Sequence, residues 1–269
     1  DPKRIAGLGK KDNWWGPAGQ TGPFGPDTEM FYWVGDEPAP EAFDPDDNRW
    51  VEIWNDVFMQ YNKTADGSFE PLTRMNVDTG MGLERTAAVL QGKPSCYDTE
   101  LFAPLFARLV EISGCENPRD TTSGRIVVEH LRAAAFIMAD GVKPGNLGQA
   151  YVLRRLVRRA IREGRKLGID QAFSAELAAV VIAEYKAVYP ELAAARETIL
   201  DDLRAEEEQF QKAIDKGEKE LLKIINSLPD HVKRKVISGR KAFHVYETYG
   251  FPLELTQEVA AEHGFEVDV

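Results

Sequence analysis

The chain has 269 residues, 43% hydrophobic and 29% charged, a balance that places it among folded, water-soluble proteins and excludes a largely disordered chain. Its formal charge of −11, from 33 basic and 44 acidic residues, argues against nucleic acid bound over the whole surface, because phosphates are held mainly by Lys and Arg. No run approaches the roughly 18 uninterrupted apolar residues that a membrane span needs, so no membrane insertion is expected.

The two cysteines, Cys96 and Cys115, lack metal spacing and a disulfide framework, which fits a reducing cytoplasm. His130, His231, His244 and His263 stand too far from one another and from the cysteines for zinc-ligand spacing. The chain opens on Asp1 rather than Met, so it is read as trimmed or as an interior part of a longer gene product.

Residues 1 to about 50 are rich in Gly, Pro, Asp and Trp, the composition of turns and short strands. The β-branched and aromatic runs EMFYWVG and WVEIWNDVFMQYNK read as strands, and an Asp-Gly turn in KTADGSFEPL leads on from them. MNVDTG reads as a further strand of the same antiparallel sheet, and LERTAAVLQG as a helix closed by Gly92. After Asp98 the apolar spacing changes to threes and fours in ELFAPLFARLVEISG, RIVVEHLRAAAFIMADG, AYVLRRLVRRAIREGRKLG, SAELAAVVIAEYKAVY and the stretch from Pro190 to Leu228. The second half is therefore expected to be helical, with the boundary between about residues 98 and 125 and GCENPRDTTSG as the candidate connector.

From Tyr151 to Gly168 there are seven basic residues and one acid. At 100 degrees per residue, Arg154, Arg155, Arg158, Arg159, Arg162, Arg165 and Lys166 fall within an arc of about 140 degrees. Val152, Leu153, Leu156, Val157, Ala160, Ile161 and Leu167 fill the other side. Two readings stay open. The cationic face is a solvated one paired with acids of another helix, such as DDLRAEEEQF, or it is a surface for RNA or DNA phosphates. Mutual repulsion of a few tenths of a kcal/mol per like-charged pair, and the suitability of arginine for bidentate phosphate contacts, favour the second.

Taken in order, WGPAGQTGPFGPDTE, EIWNDVFMQYN, VDTGMGLERTAAVLQG with YDTELF, HLRAAAFIMADGVKPGN, YVLRRLVRRAIREGRKLG and AFHVYETYGFPLELT resemble the alanyl-tRNA synthetase family of class II aminoacyl-tRNA synthetases. The resemblance runs from about Asp12 to the end. It implies an α+β fold: a partial antiparallel class II synthetase sheet, the C-terminal part of an aminoacylation domain over residues 1–110, then a mainly α-helical tRNA-recognition domain over 111–269. The implied activity is ATP-dependent activation of alanine and its transfer to tRNA(Ala) in the cytoplasm, with ATP, Mg2+, L-alanine and the tRNA acceptor stem as partners and no zinc in this chain.

By that resemblance residues 76–92 are motif 3. Arg85 meets the γ-phosphate of ATP, and Gly80 and Gly82 clear space for ligand. An arginine in the first turn of a helix adds its charge to the positive end of the helix dipole, which suits a triphosphate. Asp78 is implied to bind the α-ammonium of alanine, with Asn55 and Val57 on one strand face and Trp15 closing the pocket. In the helical half, Asn146 and Glu254 match positions that read a G·U wobble pair, while Arg154, Arg155, Arg158 and Arg159 hold the RNA backbone. Glu254 stands where the family commonly has aspartate, and Gln149-Ala150 where it commonly has Arg-Gly.

Motifs 1 and 2 and the editing domain are not found in the chain, so by this resemblance it is an internal slice of the enzyme. Alone it is expected to be catalytically silent and to expose a sheet edge that invites self-association. The competing expectations are a non-catalytic acceptor-stem binding module and a scaffold that docks a partner on the acidic stretch Glu197–Glu220.

Overall fold

The structure, a computed structural model, describes residues 1–17, 19–227 and 235–268. Ala18, Leu228 at the end of the expected long helical stretch, His231 and Val269 lie outside the described residues. The chain divides into two compact units, Asp1–Ala103 and Pro104–Val269.

In the first unit, β1 (Trp14–Trp15), β2 (Gly22–Trp33), β3 (Trp50–Lys63) and β4 (Phe69–Met81) form an antiparallel sheet in sequence order. The β3 run coincides with the expected strand. β2 reaches back through Pro23 and Pro26, further than EMFYWVG suggests, because pairing with β3 extends from Gly22↔Lys63 to Trp33↔Trp50. A register shift between Phe24 and Asp27 brings the β2 backbone so close to β3 that a Cβ on Gly25 would lie 1.9 Å from the Phe58 carbonyl oxygen. Around this point Trp14, Phe24, Tyr61 and Phe69 form an aromatic cluster with ring centroids 4.9–5.9 Å apart.

The expected Asp-Gly turn joins β3 to β4: Asp66 accepts from the Ser68 amide, and Gly67 takes a φ of +83°. β4 is an edge of the sheet and is exposed along nearly all its length. The following helix, α1 (Leu83–Leu90), ends on Gly92 at φ +64°. The Gly92 and Lys93 amides donate back to Val89 and Ala88, the paired bonds of a glycine-closed C-terminus.

The second unit is helical. It comprises α2 (Ala103–Ser113, whose first residue ends the first unit), α3 (Thr122–Ala139), α4 (Gly148–Lys166), α5 (Ser174–Tyr185), α6 (Pro190–Ala194), α7 (Arg196–Asn226), α8 (Gly239–Tyr249) and α9 (Leu253–Glu262). The short strands β5 (Val236–Ile237) and β6 (Glu266–Val267) pair in parallel. The apolar spacings become the core: Leu131, Ala134 and Ala135 of α3, Leu153, Val157 and Ala160 of α4, Leu177 and Val181 of α5, and Leu203 and Phe210 of α7 are fully buried. Their small members let helices approach closely. The stretch from Pro190, expected to be helical, forms two helices, α6 and α7, separated at Ala195.

One polar group in this core serves a helix end. No α5 side chain caps its own N-terminus, and Glu207 of α7, 1% exposed, accepts from the Phe173 and Ser174 amides at 2.9–3.2 Å. A carboxylate at that terminus meets the free amides and the positive end of the dipole together.

The replacement Gly25→Ala forces its Cβ into the Phe58 carbonyl. It is expected to destabilise the chain by about 1–3 kcal/mol or more, read as a lowered urea midpoint. An unchanged midpoint would refute the close β2–β3 approach.

Candidate functional site

Directly opposed residues of neighbouring strands share a face, as do residues two apart on one strand. The register Glu29↔Asn55↔Gly80 and Asp27↔Val57↔Asp78 therefore puts six side-chain positions on one face of β2, β3 and β4. Four of the expected alanine-site residues, Asn55, Val57, Asp78 and Gly80, are brought together this way. Val57 is buried, and Asp78 and Gly80 lie on the exposed edge strand. Trp15 pairs with Gly25 on β1 and is 39% exposed.

Arg85 sits in the first turn of α1, directly after β4. Its Nη1 donates to the Glu52 carbonyl at 3.0 Å and to the Glu52 carboxylate at 3.2 Å, so its partner is Glu52 rather than Asp78. The head group remains half exposed. The two glycines carry no positive φ. A Cβ on Gly80 would meet nothing within 4 Å, and one on Gly82 would make ordinary contact with Arg85 at 3.4 Å. Neither glycine is needed to turn or pack the chain itself.

Three acids on β2 and β3 were not legible as site residues from sequence. The Asn55 amide donates to Asp27 at 3.1 Å and to Glu29 at 3.3 Å, and Asp27 is 7% exposed with its Oδ1 buried and without a hydrogen bond among the described residues. The Glu29 carboxyl is pushed above its usual range, first by burial and then by the charges of Glu52 and Asp27; the Asn55 hydrogen bond and Arg85 act against this. Asp27 and Glu29 also line a cavity of about 900 Å³ with Asp12, Asn13, Pro26 and Phe31. The available signal was two acids at strand spacing in GPDTE.

In the helical unit the expected open cationic stripe needs correction. Arg158 is 5% exposed, and its Nε donates to Glu206 of α7 at 2.6 Å. Arg154 donates to the same carboxylate at 3.2 Å, and also to the Asn146 side-chain oxygen. Arg155 and Arg159, more open, pair with Glu254 at 3.0 Å and Glu258 at 2.7 Å on α9. Buried Arg162 pairs with Glu262 at 2.7 Å and Glu218 at 3.4 Å, Lys166 with Glu262 and Glu163, and Arg165 with Asp215. The physical reason is cost: guanidinium groups taken out of water need compensating charge. α7 and α9 supply it, and DDLRAEEEQF is indeed one source.

Burial pulls the Arg158 guanidinium below its ordinary value against the pull of Glu206. Burial also opposes ionisation of Glu262, but Arg162 and Lys166 hold it down to about 2. Glu254, Glu258 and Glu262 are four residues apart and so form one row on α9 facing the α4 cations. Only Glu254 stood out from sequence, although that spacing carried the signal for the others.

Asn146 and Glu254 both meet the first half of α4. Asn146 is exposed just before the helix and bonds to Arg154. Glu254 accepts from Arg155 at 3.0 Å and from the Tyr151 hydroxyl at 2.8 Å, and these bonds and its own amide hold its carboxyl below the usual value although burial opposes this. Burial, then Glu254, pushes the Tyr151 hydroxyl up to about 12; the ring also lines an apolar cavity of about 370 Å³ with Ala242, Phe243, Tyr246 and Leu253.

The whole chain, residues 1–269, matches the family model described as tRNA synthetases class II (A). It is 52% identical to an alanine–tRNA ligase of Treponema pallidum, over 97% of this chain and 44% of that protein. To one of Borrelia hermsii it is 45% identical, over 98% of this chain and 45% of that protein. To one of Roseiflexus castenholzii it is 46% identical, over 100% of this chain and 30% of that protein. The chain thus spans less than half the length of these relatives.

His130, on α3, approaches Arg159 at 3.5 Å. Burial, then the Arg159 charge, lowers its pKa from 6.5 to about 4. Between these values the unfolded chain binds a proton that the folded chain refuses, so stability falls as pH drops through the window. The His130→Gln protein is expected to lose less stability than the wild type between about pH 7 and pH 5, measured as urea midpoints. Equal losses would contradict the assignment.

Proposed function

This chain belongs to the class II tRNA synthetase (A) family, and on that premise we propose that it is part of an alanine–tRNA ligase, activating alanine with ATP and passing it to tRNA(Ala) in the cytoplasm. The observation that carries this reading is the strand register that gathers Asn55, Val57, Asp78 and Gly80 on one sheet face, with Arg85 opening the helix after β4. Arg85, already at a positive helix end, would exchange Glu52 for the γ-phosphate. Asp78 would take the α-ammonium of L-alanine, while Asn55, Val57 and Trp15 would bound its methyl group. The glycines at 80 and 82, which no packing among the described residues requires, would let the nucleotide lie against backbone.

Mg2+ would neutralise charge on the phosphates. The oxygens of Glu29 and Glu52 suit a hard cation, yet among the described residues no three acidic, histidine or cysteine side chains form a metal-holding group. The ion would therefore be carried chiefly by the triphosphate and water. Adenylate formation also needs positive charge at the α-phosphate and a held substrate carboxylate. Arg85 answers the γ-phosphate only, so the chain by itself would bind without activating alanine at an ordinary rate.

In the helical unit, Asn146 and Glu254 would read the wobble pair of the acceptor stem, and Arg155 and Arg159 would meet its phosphates from in front of Arg154 and Arg158. Among the described residues no helix is long and apolar enough to cross a membrane.

Calorimetric titration with a non-hydrolysable alanyl-adenylate analogue and with ATP tests the sheet site. Arg85→Ala is expected to weaken ATP binding about 10- to 150-fold, the equivalent of about 1.5–3 kcal/mol for a charge-assisted contact. Gly80→Ala should leave stability unchanged and still weaken the analogue. Wild-type binding by both variants would remove the proposal.

A further inference from the structure

We propose that Glu206 is the positioning residue that sets Asn146 and Glu254 relative to each other, and so fixes the order of donor and acceptor offered to a base pair. This rests on the reading above, in which those two side chains face the acceptor stem. Glu206 is 4% exposed, and it acts through two arginines.

The first arm runs from Glu206 to Arg154 and on to Asn146. Arg154 Nε donates to Glu206 at 3.2 Å, Nη2 to the Pro144 carbonyl at 3.4 Å, and Nη1 to Asn146 Oδ1. A guanidinium has donors and no acceptor. The Asn146 carboxamide must therefore turn its oxygen inward and present its NH2 group outward. A freely rotating asparagine offers a donor or an acceptor indifferently; this one is held as a donor.

The second arm runs from Glu206 to Arg158 and on to the turn before α9. Arg158 Nε donates to Glu206 at 2.6 Å and its Nη1 to the Gly250 carbonyl. Gly250, at φ +65°, ends α8, and four residues later Glu254 stands in the first turn of α9. There Tyr151 and Arg155 finish orienting the carboxylate, an obligate acceptor when ionised.

One buried carboxylate thus holds a fixed donor on one side and a fixed acceptor on the other. In a minor groove the pyrimidine O2 accepts and the guanine amino group donates, which matches that order. A G·U wobble shifts these groups relative to a G·C pair, so discrimination depends on the spacing that Glu206 holds.

Fluorescence anisotropy of the full chain with two acceptor-stem minihelices, differing only in G·U or G·C at the wobble position, tests this. The wild type is expected to prefer G·U by roughly tenfold or more. Asn146→Ala should abolish the preference. Glu206→Gln, which keeps size and one acceptor, should lose most of it while binding the G·C helix as before. Arg154→Met cuts only the first arm and decides the matter should Glu206→Gln not fold; Arg154→Lys should restore part of the preference. In the free protein the side-chain amide resonances of Asn146 should shift in Arg154→Met, as a purely structural role would not require.

Folded Arg154→Met and Glu206→Gln proteins that keep the wild-type preference, while Asn146→Ala loses it, would overturn the positioning role. A wild type without preference, or an Asn146→Ala protein that keeps it, would overturn the acceptor-stem reading and this proposal with it.

Discussion

Seven basic side chains crowd one face of α4, and the helical unit is arranged around neutralising them. Like charges one turn apart repel, and a guanidinium withdrawn from water costs several kcal/mol unless it is paired. α7 supplies Glu206, Asp215 and Glu218, and α9 supplies Glu254, Glu258 and Glu262. These pairs tie three helices whose sequence positions lie 48 to 100 residues apart. Removing one partner of the buried Arg158–Glu206 pair would strand the other, so the network specifies how these helices meet as much as it stabilises them.

That arrangement decides which charges are left for function. Arg158 and Arg162 are committed to the interior, while Arg155 and Arg159 keep partial exposure beside their partners Glu254 and Glu258. The sheet unit follows the same logic in another geometry. Its strand register gathers polar groups on one face, and the half-exposed Arg85 has in Glu52 a partner that a stronger anion could replace. In both units a fixed frame presents a few adaptable charges.

Local chemistry was legible in the sequence where neighbours alone decide it. The aromatic and β-branched run 50–63 became β3, Gly92 closed α1, Asp66-Gly67 made its turn, and the cations of α4 separated from Leu153, Val157 and Ile161 at helical spacing. Long-range pairing was not. β2 continues through a Gly-Pro segment because β3 pairs with it, and the break at Ala195 has no breaker residue to announce it. The acids opposite α4 could not be matched from spacing alone, and wheel geometry left Arg158 looking as open as Arg155. At the sheet site, Asp27, Glu29 and Glu52 acquire meaning only through a register that joins three strands.

The central proposal is that the α4 cations are paired with carboxylates, Arg158 and Arg162 in the interior, and that Arg155 and Arg159 are the two that reach RNA phosphates. The most direct measurement is the affinity of the chain for an acceptor-stem minihelix as a function of salt concentration. Two phosphate contacts predict a slope of log K against log salt on the order of −2, whereas an open stripe of seven cations would give about −6. A slope near the first value supports the account; one near the second would contradict it.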